Sequence, residues 1–252
     1  MKFLVTADTD IGISKQTNQD SILVKHAKTK DGEIILAVVC DGMGGLSKGE
    51  LASAVVVRSF SDWFDKDLPY ELPQIDMSII AGKWEHILKE LNVKILEYGK
   101  KTGCSMGTTF TGVLMFGAEY AAVHVGDTRL YHISDDIVQM TEDQTVTAKA
   151  VRNGEMTVEQ AKKDKNRNTL LQCIGASKSV TPQIITGKIQ KGVYMICSDG
   201  FRHELTHNEL YEALKPEKMS EKSKMHETAN DLINLVKNRK EKDNISVVLI
   251  KV

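Results

Sequence analysis

The stretch VVCDGMGG at residues 38–45 joins an apolar segment to a glycine-rich turn. The apolar segment, residues 34–40, ends on the carboxylate of Asp41, and three of the four residues that follow are glycines. An apolar run of this length predicts a buried strand, and glycine permits a tight turn and the close approach of a ligand to the backbone. We therefore expect Asp41 to lie in a charged site at a strand end.

The rest of the chain reads as strand-like and helix-like segments. Strands are predicted at residues 2–7, 21–26, 33–40, 183–188, 193–197 and 245–252, with a meander of about four strands between residues 106 and 140. The turn Lys30-Asp31-Gly32 is typical of a hairpin. Residues 142–175 are polar and basic, with a capping box at Thr157 and Gln160, and are interpreted as a surface insertion.

Three amphipathic helices are predicted from apolar residues at helical spacing. The first follows a capping box formed by Ser47 and Glu50. The second ends within residues 99–103, and the third lies near residues 225–236. The apolar positions of the first two are Ala52, Val55, Val56, Ser59 and Trp63, and Ile80, Trp84, Ile87, Leu88, Leu91 and Ile95.

Composition is that of an ordinary globular protein. The chain has 252 residues, 41% hydrophobic and 27% charged, with a formal net charge of -1. We expect a single domain over residues 1–252, because no Pro- or Ser-rich linker divides it. The balanced charge argues against nucleic acid or an anionic membrane as partner. No signal peptide or membrane span is recognised, so a cytoplasmic protein is expected. We also expect a monomer.

The four cysteines, Cys40, Cys104, Cys173 and Cys197, form no C-x-x-C pair and are expected to be free thiols. None is followed six residues later by the arginine that a cysteine-dependent phosphatase needs. Two phosphate-binding motifs also fail. A dinucleotide fingerprint starting at Gly42 needs a third glycine at position 47, and a phosphate loop needs glycine before Lys48, but that residue is Ser47.

Aspartates recur at the ends of predicted strands, namely Asp20, Asp41, Asp127, Asp199 and Asp243. Taken singly, each is explained by the preference of aspartate for turns and caps. If they converge, repulsion at ~5 Å and an effective dielectric of about 20 is roughly 3 kcal/mol per pair. Bound cations would compensate this repulsion, and an all-oxygen ligand set favours Mg²⁺ or Mn²⁺ over zinc.

Short motifs carry a resemblance to a known family. They are, in chain order, residues 12–20, DGMGG at 41–45 with Gly49-Glu50 and Ala52-Ser53, Gly107-Thr108-Thr109, HVGDTR at 124–129, Ser198-Asp199-Gly200 and Asp243-Asn244. In this order they resemble the motifs of metal-dependent serine/threonine protein phosphatases of the 2C type, in the form seen in bacterial members. The resemblance implies an α+β fold, a four-layer αββα sandwich of two antiparallel sheets packed face to face with helices outside.

The resemblance also implies a binuclear Mg²⁺/Mn²⁺ centre at one end of the sandwich. Carried over residue by residue, Asp41 is expected to bridge both metals, and the carbonyl of Gly42 to bind one. Asp199 and Asp243 are expected to complete the shell of the first metal, with Asp20 acting nearby, often through water.

Other positions extend or depart from this pattern. Asp127, together with Asp199, matches the weaker third-metal site of the family. Lys15 stands where many members have a phosphate-binding arginine, and Gln19 where they have a glutamate near the second metal. Lysine supplies a point charge without the bidentate fork, so weaker phosphate binding is expected. Lys15 and Asp41 are the expected catalytic residues.

The implied activity is hydrolysis of phosphoserine and phosphothreonine in proteins by a metal-activated water. Residues 142–175 correspond to the flap of the family, and the expected partners are phosphoproteins, substrates of serine/threonine kinases. The alternative is a catalytically weak or inactive relative that acts as a phosphoprotein-binding regulatory module, in which Lys15 and Gln19 mark a decayed site.

Overall fold

The computed structural model of the protein describes residues 1–43 and 48–252, and Gly44, Gly45 and the predicted cap Ser47 lie outside these ranges. The strands are β1 (Leu4–Asp10), β2 (Ser21–Thr29), β3 (Gly32–Cys40), β4 (Phe110–Phe116), β5 (Glu119–Val125), β6 (Arg129–Ile133), β7 (Ile137–Gln139), β8 (Gln183–Lys188), β9 (Val193–Cys197) and β10 (Ile245–Lys251). The helices are α1 (Gly49–Lys66), α2 (Leu68–Glu71), α3 (Met77–Thr102), α4 (Val146–Arg152), α5 (Val158–Lys163), α6 (Asp199–Arg202), α7 (His207–Leu214) and α8 (Lys222–Asn238). Two 3₁₀ helices cover Leu72–Gln74 and Pro216–Lys218.

The strands form two antiparallel five-stranded sheets. The first has the order β1-β10-β9-β6-β7 and the second the order β2-β3-β4-β5-β8. The predicted hairpin is confirmed, because Thr29 of β2 pairs with Gly32 of β3 across a two-residue turn. β1 runs three residues further than predicted, to Asp10, because it pairs with β10 over its whole length. This extension shortens the loop that precedes Asp20.

Strand β3 lies at the centre of the layered core. Leu36 and Val38 face the cluster that α1 and α3 cover, whereas Ala37 and Val39 face the first sheet. Successive residues of a strand point to opposite faces, so a strand buried on both sides is apolar throughout. The outer face of the first sheet packs on α7 and α8, through residues such as Leu210. The predicted four-layer αββα sandwich is confirmed.

Helix α1 is rotated relative to the prediction. Its buried face consists of Ala52, Val56, Phe60 and Trp63, together with Ser53 and Phe64, whereas Val55 is 37% exposed. The predicted position of Val55 on the apolar face was therefore wrong. The buried residues recur mainly at intervals of four, which turns the neighbouring Val55 toward solvent.

Helix α3 confirms the predicted apolar stripe. Asp76 caps its first turn, since its side chain accepts hydrogen bonds from the backbone of Ser78 and Ile79. The helix passes through Gly99 and ends at Gly103, whose φ of 69° is the left-handed conformation that terminates helices. Helix α3 is long, capped at both ends and buried along one face, with which it covers the second sheet.

Residues 142–175 contain α4 and α5. Thr157 and Gln160 form the predicted capping box, and α5 has no buried residue. Lys162 and Lys163, at the end of α5, are exposed, as is Arg167. Helix α5 and the basic residues that follow it are therefore solvated, whereas the end of the segment joins the apolar core through the buried Ile174.

Helix α7 was missed in the sequence, although it has a clear start signal. Thr206 and Glu209 form a capping box, and Leu210 and Leu214 are buried against the first sheet. The four cysteines are free thiols, as predicted. Within the described ranges, no helix has both the length and the apolar character needed to cross a membrane.

Trp84 is the largest fully buried side chain of the core. It contacts Phe60 and Trp63 edge-on, at ring-centroid distances of 5.1 and 5.4 Å. We expect Trp84→Ala to lower the free energy of unfolding by about 3–5 kcal/mol, because it opens a cavity between α1, α3 and the sheet. Urea unfolding followed by circular dichroism measures this loss.

Trp84→Phe is the matched control. It retains an aromatic ring, and the Nε1 of Trp84 has no hydrogen-bond partner among the described residues, so no hydrogen bond is lost. The loss should be clearly smaller than for alanine. Equal losses in the two variants would contradict the packing argument.

Candidate metal centre

In the second sheet, two predicted site residues are neighbours at one end. Ser21, the first residue of β2, pairs with Cys40, the last residue of β3. Asp20 and Asp41 lie one residue beyond this pair. Antiparallel pairing therefore brings the two carboxylates together, although they are distant in sequence.

In the first sheet, three more aspartates are gathered by the same geometry. β9 pairs with both β6 and β10 at Cys197. Asp199 follows the end of β9, whereas Asp127 and Asp243 precede the starts of β6 and β10. In antiparallel strands the end of one lies beside the start of the next, so these three residues share one end of the sheet.

The two groups form one electrostatic site. Burial, and then the charges of Asp20, Asp199, Asp127 and Asp243, hold the pKa of Asp41 well above its ordinary value. Carboxylates affect one another in this way only at short range in a poorly solvated setting. The strand pairing and these charge effects together place the five strand-end aspartates within electrostatic range of Asp41.

Asp20, Asp127 and Asp199 also resist ionisation, because the pKa of each is raised, chiefly by burial. Burial and the charge of Asp199 raise the pKa of Asp20 to about 7, although a hydrogen bond from Ser246 opposes the shift. Burial and Asp199 likewise raise the pKa of Asp127 to about 7, although Arg202 opposes the shift. The folded chain therefore holds negative charge that its own residues only partly balance.

Donor chemistry at this end suits a hard divalent cation. Two buried carboxylate oxygens, Asp20 Oδ2 and Asp199 Oδ1, have no hydrogen-bond partner among the described residues. An unpartnered buried acceptor is costly, and Mg²⁺ and Mn²⁺ bind carboxylate and carbonyl oxygens. Within residues 1–43 and 48–252, no three His, Cys, Asp or Glu side chains are already close enough together to hold an ion. The fit of a metal ion therefore rests on charge, burial and oxygen donors, rather than on a preformed ligand shell.

The backbone of Asp41 is held on both sides by a pair of threonines. Its N–H donates to Thr109 Oγ1 at 2.9 Å. Its carbonyl accepts from the Thr109 N–H and from Thr108 Oγ1, both at 2.9 Å. Asp41 therefore cannot turn away without breaking three hydrogen bonds, and the motif Gly107-Thr108-Thr109 has a structural role here.

Gly42 lies in a cradle that excludes every larger residue. A Cβ on Gly42 would lie 2.4 Å from the carbonyl oxygen of Gln19 and 2.6 Å from that of Gly49. The N–H of Gly42 also donates to the carbonyl of Gln19 at 3.2 Å. The glycine is required so that the loop before β2, the end of β3 and the start of α1 can meet.

Asn244 joins the loop before β2 to the first sheet. Its Nδ2 donates to the carbonyls of Ile11 and Thr17 at 3.0 and 3.2 Å, and its Oδ1 accepts from the N–H of Gln19 at 2.9 Å. This side chain is buried, and it fixes Asp20 relative to Asp243. The sequence places Asn244 in the motif Asp243-Asn244 but does not predict this role.

Lys15 reaches this site from the same loop. Its Nζ lies 2.7 Å from Asp243 Oδ1. Although burial opposes the shift, the hydrogen bond and charge of Asp243 raise the pKa of Lys15, with further contributions from Asp41 and Asp199. The expected phosphate-contacting residue is therefore a charged lysine beside the carboxylates. Gln19 lies beside the start of α1, where its Nε2 donates to Glu50 Oε2 at 3.2 Å.

Sequence reasoning missed two residues next to Asp199. Arg202 donates from Nη2 to the carbonyl of Asp127 at 3.1 Å. His203 Nδ1 lies 3.7 Å from Asp199 Oδ2. Burial and the neighbouring Arg202 lower the pKa of His203 to about 4, so it is neutral at pH 7. Their position one helical turn after Asp199 was the signal available in the sequence.

His124 is hydrogen-bonded to residues on both sides of the loop that contains Asp127. Its Nε2 lies 3.1 Å from the carbonyl of Glu142, and its Nδ1 lies 2.9 Å from Thr111 Oγ1. Because a carbonyl only accepts, Nε2 carries the proton and Nδ1 accepts from Thr111. The Thr111 hydroxyl also contacts Thr128 Oγ1 at 2.6 Å. A neutral, buried histidine thus connects β4, β5 and the start of the segment 142–175.

Comparison with known proteins agrees with this fold and these motifs. Residues 12–240 match the protein phosphatase 2C family. The serine/threonine phosphatase stp of Listeria innocua is 29% identical over 248 residues, which is 96% of this chain and 93% of that protein. The structure of the S. agalactiae serine/threonine phosphatase is similar at a TM-score of 0.85 and 29% identity, covering 100% of both chains. The catalytic domain of the serine threonine protein phosphatase PstP, solved in complex with 2 manganese ions, has a TM-score of 0.77 at 25% identity, covering 99% of both chains.

These matches define the class of protein as a two-sheet phosphatase with an acidic site at the strand ends. The chain belongs to the protein phosphatase 2C family. The predicted family, the predicted fold and the predicted class of enzyme, a serine/threonine protein phosphatase, are confirmed.

We expect His124 to make the fold less stable in acid. Burial lowers its pKa to about 4. In the unfolded chain its pKa is ~6.5. Between about pH 6.5 and pH 4 the unfolded state therefore binds more protons than the folded state, and the free energy of unfolding falls as the pH falls. Relative to His124→Gln, the free energy of unfolding of the wild type should decrease by on the order of 3 kcal/mol across this window.

Urea denaturation of both proteins in chelator, at several pH values, measures the difference. The carboxylates titrate in both proteins, so their contribution cancels in the comparison. Stability curves that run parallel from pH 6.5 to pH 4 would contradict the assignment of a buried neutral His124.

Proposed function

We propose that the protein hydrolyses phosphoserine and phosphothreonine in proteins, with two Mg²⁺ or Mn²⁺ ions bound at the Asp41 end of the sandwich. The observation that carries this proposal is the convergence of five mutually repelling aspartates, two of them with unpartnered buried oxygens. Mutual repulsion of roughly 3 kcal/mol per pair at ~5 Å is a large cost for a marginally stable fold. Divalent cations would remove it.

The proposed ligands follow from position and from the family. Asp41 would bridge the two ions and the carbonyl of Gly42 would bind one, while Asp199 and Asp243 would complete the shell of the first, with Asp20 nearby. The 2 manganese ions in the PstP relative support a pair of ions. When bound, such a pair lowers the pKa of a coordinated water and neutralises phosphoryl oxygens.

The residues of the chain would orient the substrate and hold the carboxylates in place. The hydrogen bonds of Asp41 to Thr108 and Thr109 would keep its carboxylate at the centre of the site. Lys15, charged and 2.7 Å from Asp243, would place a positive charge beside the phosphoryl group. None of these roles needs a covalent phosphoenzyme, and the buried thiols of Cys40 and Cys197 are not required.

We further propose that residues 1–252 form one catalytic domain with residues 142–175 as its flap. A cavity of ≈ 1110 Å³ lies between this segment and the α6–α7 region, and Asp127, Lys162 and Arg202 are among its lining residues. A cavity that opens beside Asp127 offers space for the part of the substrate protein that surrounds the phosphorylated side chain. The substrates would be phosphoproteins made by serine/threonine kinases, with Asp127 contributing to a weaker third ion site.

The test is turnover of a chromogenic phosphate ester and of a phosphothreonine peptide, with Mn²⁺ and with chelator. We expect activity with Mn²⁺ and none in chelator. Metal content is measured on the same preparation, so that a lack of ions is distinguished from a lack of catalysis. A folded, Mn²⁺-loaded protein without turnover would contradict the proposal and favour the alternative, a phosphoprotein-binding regulatory module.

The matched variants of this experiment are Asp41→Asn and Asp199→Asn. Each removes one charge with little change in volume, and we expect a loss of at least ~10³-fold in kcat because the ions lose a central ligand. Asp62→Asn, on the exposed face of α1, is the control and should leave the rate unchanged. Near-wild-type rates in Asp41→Asn would refute its assignment.

Lys15→Ala should chiefly raise the KM for phosphorylated substrates, by roughly tenfold, because a charge-assisted hydrogen bond to phosphate is lost. Lys15→Arg keeps the charge and should restore most of the affinity. Steady-state kinetics of the three proteins at saturating Mn²⁺ separates KM from kcat. An unchanged KM in Lys15→Ala would argue against phosphate contact.

A further inference from the structure

Arg202 lies against two buried carboxylates at the edge of the acidic site. It is the last residue of the short helix α6, one turn after Asp199. Its Nη2 is 3.9 Å from Asp127 Oδ2 and 3.8 Å from Asp143 Oδ2, and it also donates to the carbonyl of Asp127 at 3.1 Å. The side chain is only 9% exposed, so solvent screens these interactions weakly.

Asp143 already has a cation of its own. Arg129 binds it in a bidentate manner, with Nε to Oδ1 at 2.7 Å and Nη2 to Oδ2 at 2.6 Å. The remaining guanidinium nitrogen of Arg129 donates to the hydroxyl of Tyr131 at 2.7 Å. Against burial, these hydrogen bonds and charges hold the pKa of Asp143 below its usual value. The second guanidinium, Arg202, is therefore available to balance Asp127, and its charge also acts on Asp199.

We infer that Arg202 is an internal counter-cation for Asp127, and that it keeps a third divalent ion off this carboxylate at concentrations that fill the two-ion centre. This inference rests on the proposed function, since it assumes that the other two ions bind. A divalent ion and a guanidinium at one buried carboxylate repel each other, and arginine does not lose its proton. An ion bound to Asp127 would lie close to this guanidinium, which is 3.9 Å from Oδ2, and the hydrogen bond of Arg202 to the Asp127 backbone opposes its movement away.

The consequence concerns the number of bound ions. The charge of residue 202 decides whether the site binds two ions or three, although residue 202 is not itself a ligand. Asp127 belongs to the same loop as Arg129, and Arg202 to the same helix as Asp199, so the counter-cation is built from elements that already carry the site. The third ion is thus controlled by a side chain rather than by the carboxylates alone.

The test is a titration with Mn²⁺ in which the electron paramagnetic resonance signal of free Mn²⁺ counts the bound ions. The wild type should bind two ions. Arg202→Met keeps most of the side-chain length without the charge and should bind a third ion at least tenfold more tightly than the wild type does. Arg202→Lys retains the charge and should stay at two.

A double variant, Arg202→Met with Asp127→Asn, assigns the gained site. We expect it to return to two ions, because the carboxylate that takes the third ion is removed. The melting temperature gives a second readout, since high Mn²⁺ should raise it more in Arg202→Met than in the wild type. Arg202→Gln replaces the methionine variant if the latter does not fold.

Three outcomes would overturn the inference. The first is a wild type that binds a third ion as tightly as Arg202→Met does. The second is a third ion that persists in the double variant, which would place it away from Asp127. The third is a wild type that binds no Mn²⁺, which would contradict the two-ion centre itself and is distinguished from the others by the ion count.

Discussion

Buried carboxylates repel one another, and the antiparallel ladders of this sandwich force five of them to one end. The pairing of Ser21 with Cys40 brings Asp20 to Asp41, and the pairing of β9 with β6 and β10 brings the other three together. Moving any of these residues away would require a shift in strand register, which would expose the apolar faces of β3 and its neighbours. The packing of the core thus fixes the strand register, and the strand register holds the five carboxylates at one end in spite of their repulsion.

Rigidity at the acidic end comes from polar contacts rather than from apolar packing. Thr108 and Thr109 hold the backbone of Asp41, and Asn244 holds the loop before β2 through three hydrogen bonds. Such contacts fix carboxylates without covering their oxygens. This arrangement leaves Asp20 Oδ2 and Asp199 Oδ1 unpartnered among the described residues, although the surrounding backbone is well bonded. These threonine and asparagine contacts therefore order the acidic end without occupying the carboxylate oxygens.

Local patterns in the sequence predicted the strands and the position of the five aspartates at strand ends, because strand ends and glycine turns are encoded by neighbouring residues, whereas the two-sheet sandwich followed from the family resemblance. The rotation of α1 that exposes Val55 could not be predicted in this way, since it depends on how Phe60 packs on Trp84. The contact of Arg202 with Asp127 joins residues 75 positions apart in the chain. Its partner is selected by the pairing of β6 with β9, so only the folded structure reveals it.

Charge compensation by the protein is confined to the periphery of the acidic site. Lys15 pairs with Asp243 on one side, and Arg202 approaches Asp127 on the other. Asp20 and Asp41, by contrast, form no ion pair within the described ranges, and burial, together with repulsion by the other aspartates, raises the pKa of both. Cations from solution are therefore most needed at the centre, between the two sheets, whereas lysine and arginine already act at the edges. A distribution of this kind favours ions at Asp41 and disfavours them at Asp127, because Asp127 has a guanidinium 3.9 Å from its carboxylate and Asp41 has no ion pair within the described ranges.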